Sequence, residues 1–149
     1  MIYLGSDHAG FELKESIKDA LEKKGVKYLD IGTDSLKSVD YPDYALKVAE
    51  KVKEDKDANS FGILVCGTGI GMEITANKVD GIRAALVYDE YTSQVAKEHN
   101  NANIITMGGR TTTPTEALRF IDRFMSAKYE GGRHENRINK ISSIEKLNI

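Results

Sequence analysis

The sequence predicts an α/β protein: a three-layer α/β/α sandwich around a parallel five-stranded sheet, with one extra helix at the C-terminus. Three observations carry that prediction. Short apolar runs alternate with stretches of helical periodicity along the chain, and strands alternating with helices build a parallel sheet covered on both faces, because crossovers are right-handed. Ile63-Leu64-Val65 is continuously apolar, as a strand buried on both faces must be. That run ends at Cys66, and Gly67-Thr68-Gly69-Ile70-Gly71 follows at once, giving the strand, glycine loop and helix start of a Rossmann-like fold.

Taken in order, Ile2-Tyr3-Leu4 reads as the first strand and Gly5 to Gly10 as the turn after it. Phe11 to Lys24 is helical, with Leu13, Ile17, Ala20 and Leu21 on one face, and Gly25 stops it as the residue after the cap. Val26 to Ile31 is the second strand and Asp34 to Asp43 a polar loop. Ala45, Val48, Ala49 and Val52 recur at helical spacing, and Asp55 to Ser60 is the turn before the central strand. The third helix follows the glycine loop to about Val79. Arg83 to Tyr88 is the fourth strand, Tyr91 to His99 a short helix, and Asn100 to Asn103 a turn. Ile104 to Met107 is the fifth strand. Thr113-Pro114-Thr115-Glu116 is a capping box opening a helix to about Ala127. Tyr129 to Arg137 is a linker and helix start, and Ile138, Ile141, Ile144 and Leu147 give the last helix a narrow apolar stripe. No strand separates the last two helices, so that stripe needs a surface, for which a second copy of the chain is a candidate.

The 149 residues make a chain of ordinary domain size, read as one domain. With 40% apolar and 30% charged residues and a formal net charge of −2, bulk charge argues against nucleic acid or an anionic membrane as partner. The single cysteine forms no internal disulfide and fits a reducing compartment. The N-terminus lacks a basic region and an apolar run of signal length, and no apolar stretch approaches membrane length, so a cytoplasmic protein is expected.

In open α/β sheets ligands sit at the C-terminal ends of strands, where neighbouring strands send their helices to opposite faces. The first and third strands commonly meet there. Here they end in Asp7-His8 and Cys66-Gly67-Thr68, while later strand and helix ends carry Asp89, His99-Asn100 and Arg110. The polar groups are therefore expected to converge. The glycine loop aims several backbone amides at one spot, which suits a phosphate or a developing oxyanion. Each residue also has a plainer role. Cys66 ending a buried strand is a small hydrophobe, although a thiol beside such donors is also placed for chemistry. Asp7 caps a helix, His8 and His99 lie at the surface, and Arg133 and Arg137 share a solvated helical face or clamp a phosphate. The spacing G-x-G-x-G, with Met72 where a dinucleotide fingerprint needs glycine, weighs against that fingerprint. One cysteine and three scattered histidines show no metal-ligand spacing. A non-catalytic nucleotide or sugar-phosphate module remains the alternative to an enzyme.

Gly5-Ser6-Asp7-His8-Ala9-Gly10, Asp40-Tyr41-Pro42-Asp43-Tyr44-Ala45, Cys66 to Met72, Ala76-Asn77-Lys78, Gly81 to Ala85, His99-Asn100 and Tyr129 to His134, in that order, together resemble the ribose-5-phosphate isomerase B family, which also holds allose-6-phosphate and galactose-6-phosphate isomerases. The resemblance covers nearly the whole chain. It implies an aldose–ketose isomerase of carbohydrate metabolism and the pentose phosphate pathway. It implies no metal or cofactor, and a homodimer or dimer of dimers whose subunits share each site. By the same resemblance Cys66 is the base that takes the C2 proton of ring-opened ribose 5-phosphate. The amides of Gly67, Thr68, Gly69, Ile70 and Gly71 hold the enediolate. His99 is the acid that opens the furanose, assisted by Thr68. Asp7 and Asn100 match sugar-hydroxyl positions, and His8, Arg110, Arg133 and Arg137 the phosphate end. Glu73 stands where many members carry a small residue, and another branch uses a loop glutamate one position earlier as base. The intact Cys-Gly-Thr-Gly-Ile-Gly run favours Cys66. Pentose phosphate is the expected substrate, with a 6-phosphohexose as the alternative.

Overall fold

A computed structural model describes residues 1–148. Strands β1 (Ile2–Ser6), β2 (Tyr28–Asp30), β3 (Phe61–Cys66), β4 (Ala84–Leu86) and β5 (Ile104–Gly108) form one parallel sheet in the order β2-β1-β3-β5-β4. Helices α1 (Phe11–Lys23), α2 (Tyr41–Glu54), α3 (Ile70–Ala76), α4 (Glu90–Glu98) and α5 (Pro114–Ser126) alternate with the strands, and α6 (Arg133–Glu145) follows α5 directly. Among the described residues no helix is long and apolar enough to cross a membrane.

The period-two pleat divides the core. Ile2, Leu4, Ile63, Val65, Ile105 and Met107 face α1, α4 and α5, through Leu13, Ile17, Ala96, Phe120 and Ile121. On the other face Leu64, Cys66 and Ile104 meet α2 and α3, through Val48, Ala49, Met72 and Ala76. β1 and β3 are therefore neighbours whose following helices take opposite faces, which makes their C-terminal ends the crevice of the sheet.

Several elements begin or end away from the sequence expectation. α2 starts at Tyr41, inside the expected polar loop, with proline in its first turn, a position where the missing amide hydrogen costs nothing. The strands β2 and β4 are shorter than expected because each is an edge strand with one neighbour. α6 ends at Glu145, so Leu147 lies in a short 3₁₀ turn beyond it. The predicted caps are present: Thr113 and Glu116 form the capping box of α5, and Gly25 has a φ of 69° after α1.

Candidate active site

β3 is buried along its whole length and delivers Cys66, 5% exposed, to the C-terminal edge of the sheet. The loop that follows folds back over its own sulfur. The Gly69 N–H donates to Cys66 Sγ at 3.1 Å. Gly69 adopts a φ of 81° to do so, and a Cβ there would lie 2.9 Å from the Met107 carbonyl carbon; only glycine fits. The hydroxyl of Thr106 donates to the Gly69 carbonyl at 2.9 Å and fixes the loop to β5. Thr68 is exposed, and its Oγ1 accepts the Ile70 amide at 3.3 Å. Among the described residues the amides of Gly67, Thr68 and Gly71 make no hydrogen bond within the loop, so they remain unengaged donors beside the thiol.

Three neighbouring loops complete this edge. Asp7, 6% exposed, leaves β1 with its amide on the Val65 carbonyl at 3.3 Å, while its carboxylate accepts the Gly10 amide at 3.1 Å. It caps the short turn before α1 and faces the same crevice as β3. His8 Nδ1 accepts the Val39 amide at 3.2 Å and so anchors the loop between β2 and α2. Arg110 follows β5. Its amide donates to the Gly67 carbonyl at 3.0 Å and its guanidinium lies over Gly67, 3.1 Å from where a Cβ would stand. Tyr41, which sequence reasoning assigned no role, lays its ring against Gly71. Glu73 is engaged elsewhere: its Oε1 accepts the Leu86 amide at 3.1 Å, tying α3 to β4. That bond gives Glu73 a structural task beyond its place in the first helical turn.

His99 and Asn100 correct the expectation of a single cluster. They follow α4, which runs antiparallel to the strands, so they lie at the N-terminal edge of the sheet, opposite Cys66. The Arg83 guanidinium holds this turn by donating to the carbonyls of Asn100 at 3.0 Å and Asn101 at 2.7 Å. Burial lowers the Arg83 pKa, and burial followed by the Arg83 charge lowers that of Lys97 nearby. α6 crosses the same edge, with Glu145 accepting the Gly81 amide at 2.8 Å. It carries Arg133 and Arg137, both exposed. A cavity of about 490 Å³ between α6 and the strand starts is lined by Asn77, Arg83, Asn100, Ile141 and Ile144. One chain thus places Asp7, His8, Cys66 to Gly71 and Arg110 at one edge of the sheet, and His99, Asn100, Arg133 and Arg137 at the other.

Two of the three histidines are also less scattered than their spacing suggests. His99 and His134 stack at 4.4 Å between ring centroids, tilted by 15°. Glu130 Oε1 lies 3.8 Å from His99 Nε2 and 3.4 Å from His134 Nε2. These three are a possible ligand set, with donor atoms all within 4.8 Å of one another. The near-parallel rings, however, send their nitrogen lone pairs side by side, whereas ligands of a tetrahedral ion converge on it.

The fold and the crevice are those of an α/β class that works at strand C-termini, here with a thiol beside unengaged loop amides. The Ribose/Galactose Isomerase family model matches residues 2–141, and the chain belongs to that family. It is 42% identical to ribose-5-phosphate isomerase B of Escherichia coli over 144 residues, covering 97% of this chain and 95% of that one. Its structure superposes on ribose-5-phosphate isomerase B of Clostridium thermocellum with a TM-score of 0.95, at 47% identity and 99% coverage of both chains. The corresponding Mycoplasma genitalium enzyme, solved with bound ribulose-5-phosphate, gives a TM-score of 0.92 at 44% identity, covering 97% of this chain and 95% of that one.

Proposed function

We propose that this chain is an isomerase domain that interconverts D-ribose 5-phosphate and D-ribulose 5-phosphate through ring opening and a cis-enediolate. The observation that carries the reading is the Gly69 N–H on Cys66 Sγ, with unengaged loop amides beside it. A proton next to a carbonyl is a weak acid. Its removal needs a base and, at the same moment, donors for the oxygen that becomes negative. Cys66 is the base, and the amides of Gly67, Thr68 and Gly71 receive the enediolate oxygens. Asp7 holds a sugar hydroxyl, and Thr68 assists the ring chemistry. His8 and Arg110 lie at the same edge and take part in orienting the phosphate end.

His99, Asn100, Arg133 and Arg137 reach such a site from a second copy of the chain. Their place at the opposite edge of the sheet supports this, as do the exposed Ile141 (46%) and Ile144 (57%) of α6. The working particle is a homodimer or a dimer of dimers in the cytoplasm, with His99 as the acid that opens the furanose and Arg133 and Arg137 as the phosphate clamp. Binding energy from the non-reacting phosphate then orients the sugar. The scheme uses the chain's own acid and base and no cofactor.

The test compares kcat/KM for ribose 5-phosphate, allose 6-phosphate and galactose 6-phosphate. The pentose is expected to lead by about tenfold or more, the scale on which one carbon unit is discriminated. Equal or better turnover of either hexose would overturn the substrate assignment.

A further inference from the structure

We propose that Glu130 and His134 are positioning residues that hold the imidazole of His99 in its working orientation. The inference rests on the reading of His99 as the acid for ring opening. Its own support is the geometry around that ring. The His134 side chain is 8% exposed, and it supplies the face on which His99 stacks. Its Nε2 is buried without a hydrogen-bond partner, and the nearest acid is the Glu130 carboxylate oxygen that also faces His99 Nε2. An orphaned buried nitrogen costs stability, and a functional role is one reason for a fold to retain it. Here it sits 3.4 Å from an oxygen shared with the other ring, within reach but without the alignment of a hydrogen bond.

The backbone is built to hold this set together. The Glu130 N–H donates to the Glu98 carbonyl at 2.9 Å, one residue before His99. Gly131 and Gly132 adopt φ angles of 66° and 55°, values that L side chains resist, and so turn the chain until residue 134 comes back under His99. The Tyr129 hydroxyl donates to Glu135 at 2.7 Å and closes the turn from the other side. Burial first, then that bond, pushes its pKa up to about 12, so it stays a donor through the neutral range. His99 itself is the cap residue of α4 and about one-third exposed. Without a platform, its ring would be free to change rotamer. A carboxylate at one ring edge and a flat face beneath restrict it to one plane, the arrangement by which an acid–base histidine is oriented in general.

The experiment uses His134→Ala, His134→Phe and Glu130→Ala in the intact protein. Isomerisation of ribose 5-phosphate is measured beside deuterium uptake from heavy water into ribulose 5-phosphate, which is already open-chain and needs no ring opening. Positioning predicts that His134→Ala and Glu130→Ala lower kcat by about ten- to a hundredfold, the effect of a displaced catalytic group, with KM changed less than about twofold. Deuterium uptake should stay near the unmodified level. His134→Phe, which restores a flat face, should recover most of the rate lost in His134→Ala. A kcat unchanged in all three variants, or uptake falling in step with isomerisation, would overturn the proposal. Glu130 is half exposed, so its variant folds even if a hole at 134 does not. His99→Asn separates the two readings: isomerisation that survives it means that the acid assignment has failed, whatever His134 does.

Discussion

Gly69→Ala tests the loop over Cys66 at its tightest point. Two effects add in the folded state. A φ of 81° costs an alanine about 1–2 kcal/mol. The new methyl would also stand 2.9 Å from the Met107 carbonyl carbon, 3.0 Å from its Cα and 2.7 Å from Leu86 Cδ1. Leu86 can rotate, but Met107 is backbone in a buried strand between two neighbours, so the loop must move instead. Overpacking of that kind costs about 1–3 kcal/mol, for a total of about 2–5 kcal/mol. For a chain of this length that is a melting-temperature loss of roughly 6–15 °C. The same displacement takes the Gly69 amide off Cys66 Sγ, 3.1 Å away, and carries its neighbours with it. Misplacing one donor at an oxyanion site lowers kcat by about 10²–10³. Gly25→Ala is the matched control: its φ is 69° and no atom lies within 4 Å of the new methyl. It should lose about 1 kcal/mol, roughly 3 °C, and keep full activity. The assays are thermal melts and ketose formation from ribose 5-phosphate. A Gly69→Ala protein whose kcat stays within about threefold of the parent would refute the role given to the loop amides. Equal melting losses at 25 and 69 would refute the clash.

Two further outcomes follow from other parts of the molecule. Burial raises the Asp30 pKa, but hydrogen bonds from Lys14, Lys18 and the Gly32 amide outweigh it and hold the carboxyl below its ordinary value. Its folded-state pKa is thus below the unfolded one, so its contribution is complete above about pH 4 and is lost as pH falls through the depressed value. Asp30→Asn leaves Lys14, 1% exposed, with only Glu15 at 3.3 Å. It should cost about 3 kcal/mol at pH 7, the low end of the range because Asp30 is 21% exposed, and should flatten the acid limb of stability in urea titrations from pH 7 to 2. An unchanged acid limb would show that the pair is not what fails there. Separately, Cys66→Ala and His99→Asn should each be inactive, yet regain about a quarter of parental activity when refolded together one to one, since half the dimers are then mixed and each has one intact site. No recovery would mean that both residues serve a site within one chain.

Much of the fold was legible in the sequence because the signals were physical and local. Apolar runs and helical periodicity alternate up to the fifth helix, and Thr113, Glu116 and Gly25 act as their side chains and backbone dictate. The start of α2 was misread because Asp40-Tyr41-Pro42-Asp43 carries turn residues, although proline is equally a first-turn residue of a helix. At the candidate site, Cys66 and its glycines were legible as a contiguous motif. The location of His99 was not, because an element's end was equated with the ligand-binding edge. In a strand–helix–strand unit the helix returns, so α4 ends where β5 begins. Topology alone could have given that. The meeting of His99 with His134 had no sequence signal: it depends on two consecutive positive-φ glycines and a backbone bond from Glu130 to Glu98.

If the chemistry is divided between the two edges of one sheet as proposed, that division constrains how copies meet. A two-fold axis makes each contact occur twice with the roles exchanged. If the His99 edge of one chain covers the Cys66 edge of another, the reverse contact also forms, and two complete sites arise with none left over. A head-to-tail arrangement would leave one unused Cys66 edge and one unused His99 edge unless it closed into a ring. The exposed apolar side chains fit the symmetric case: Ile70 (51%) and Ile74 (58%) lie on α3 beside the thiol loop, while Ile141 and Ile144 lie on α6 beside Asn100. Each edge therefore carries both its share of the polar chemistry and an apolar strip next to it. Burying those strips would exclude water from the amides and the thiol in the same step that brings in the acid and the phosphate clamp. Association and the desolvation that strengthens the site would then be one event, and the isolated chain would hold the base without the groups that make it useful.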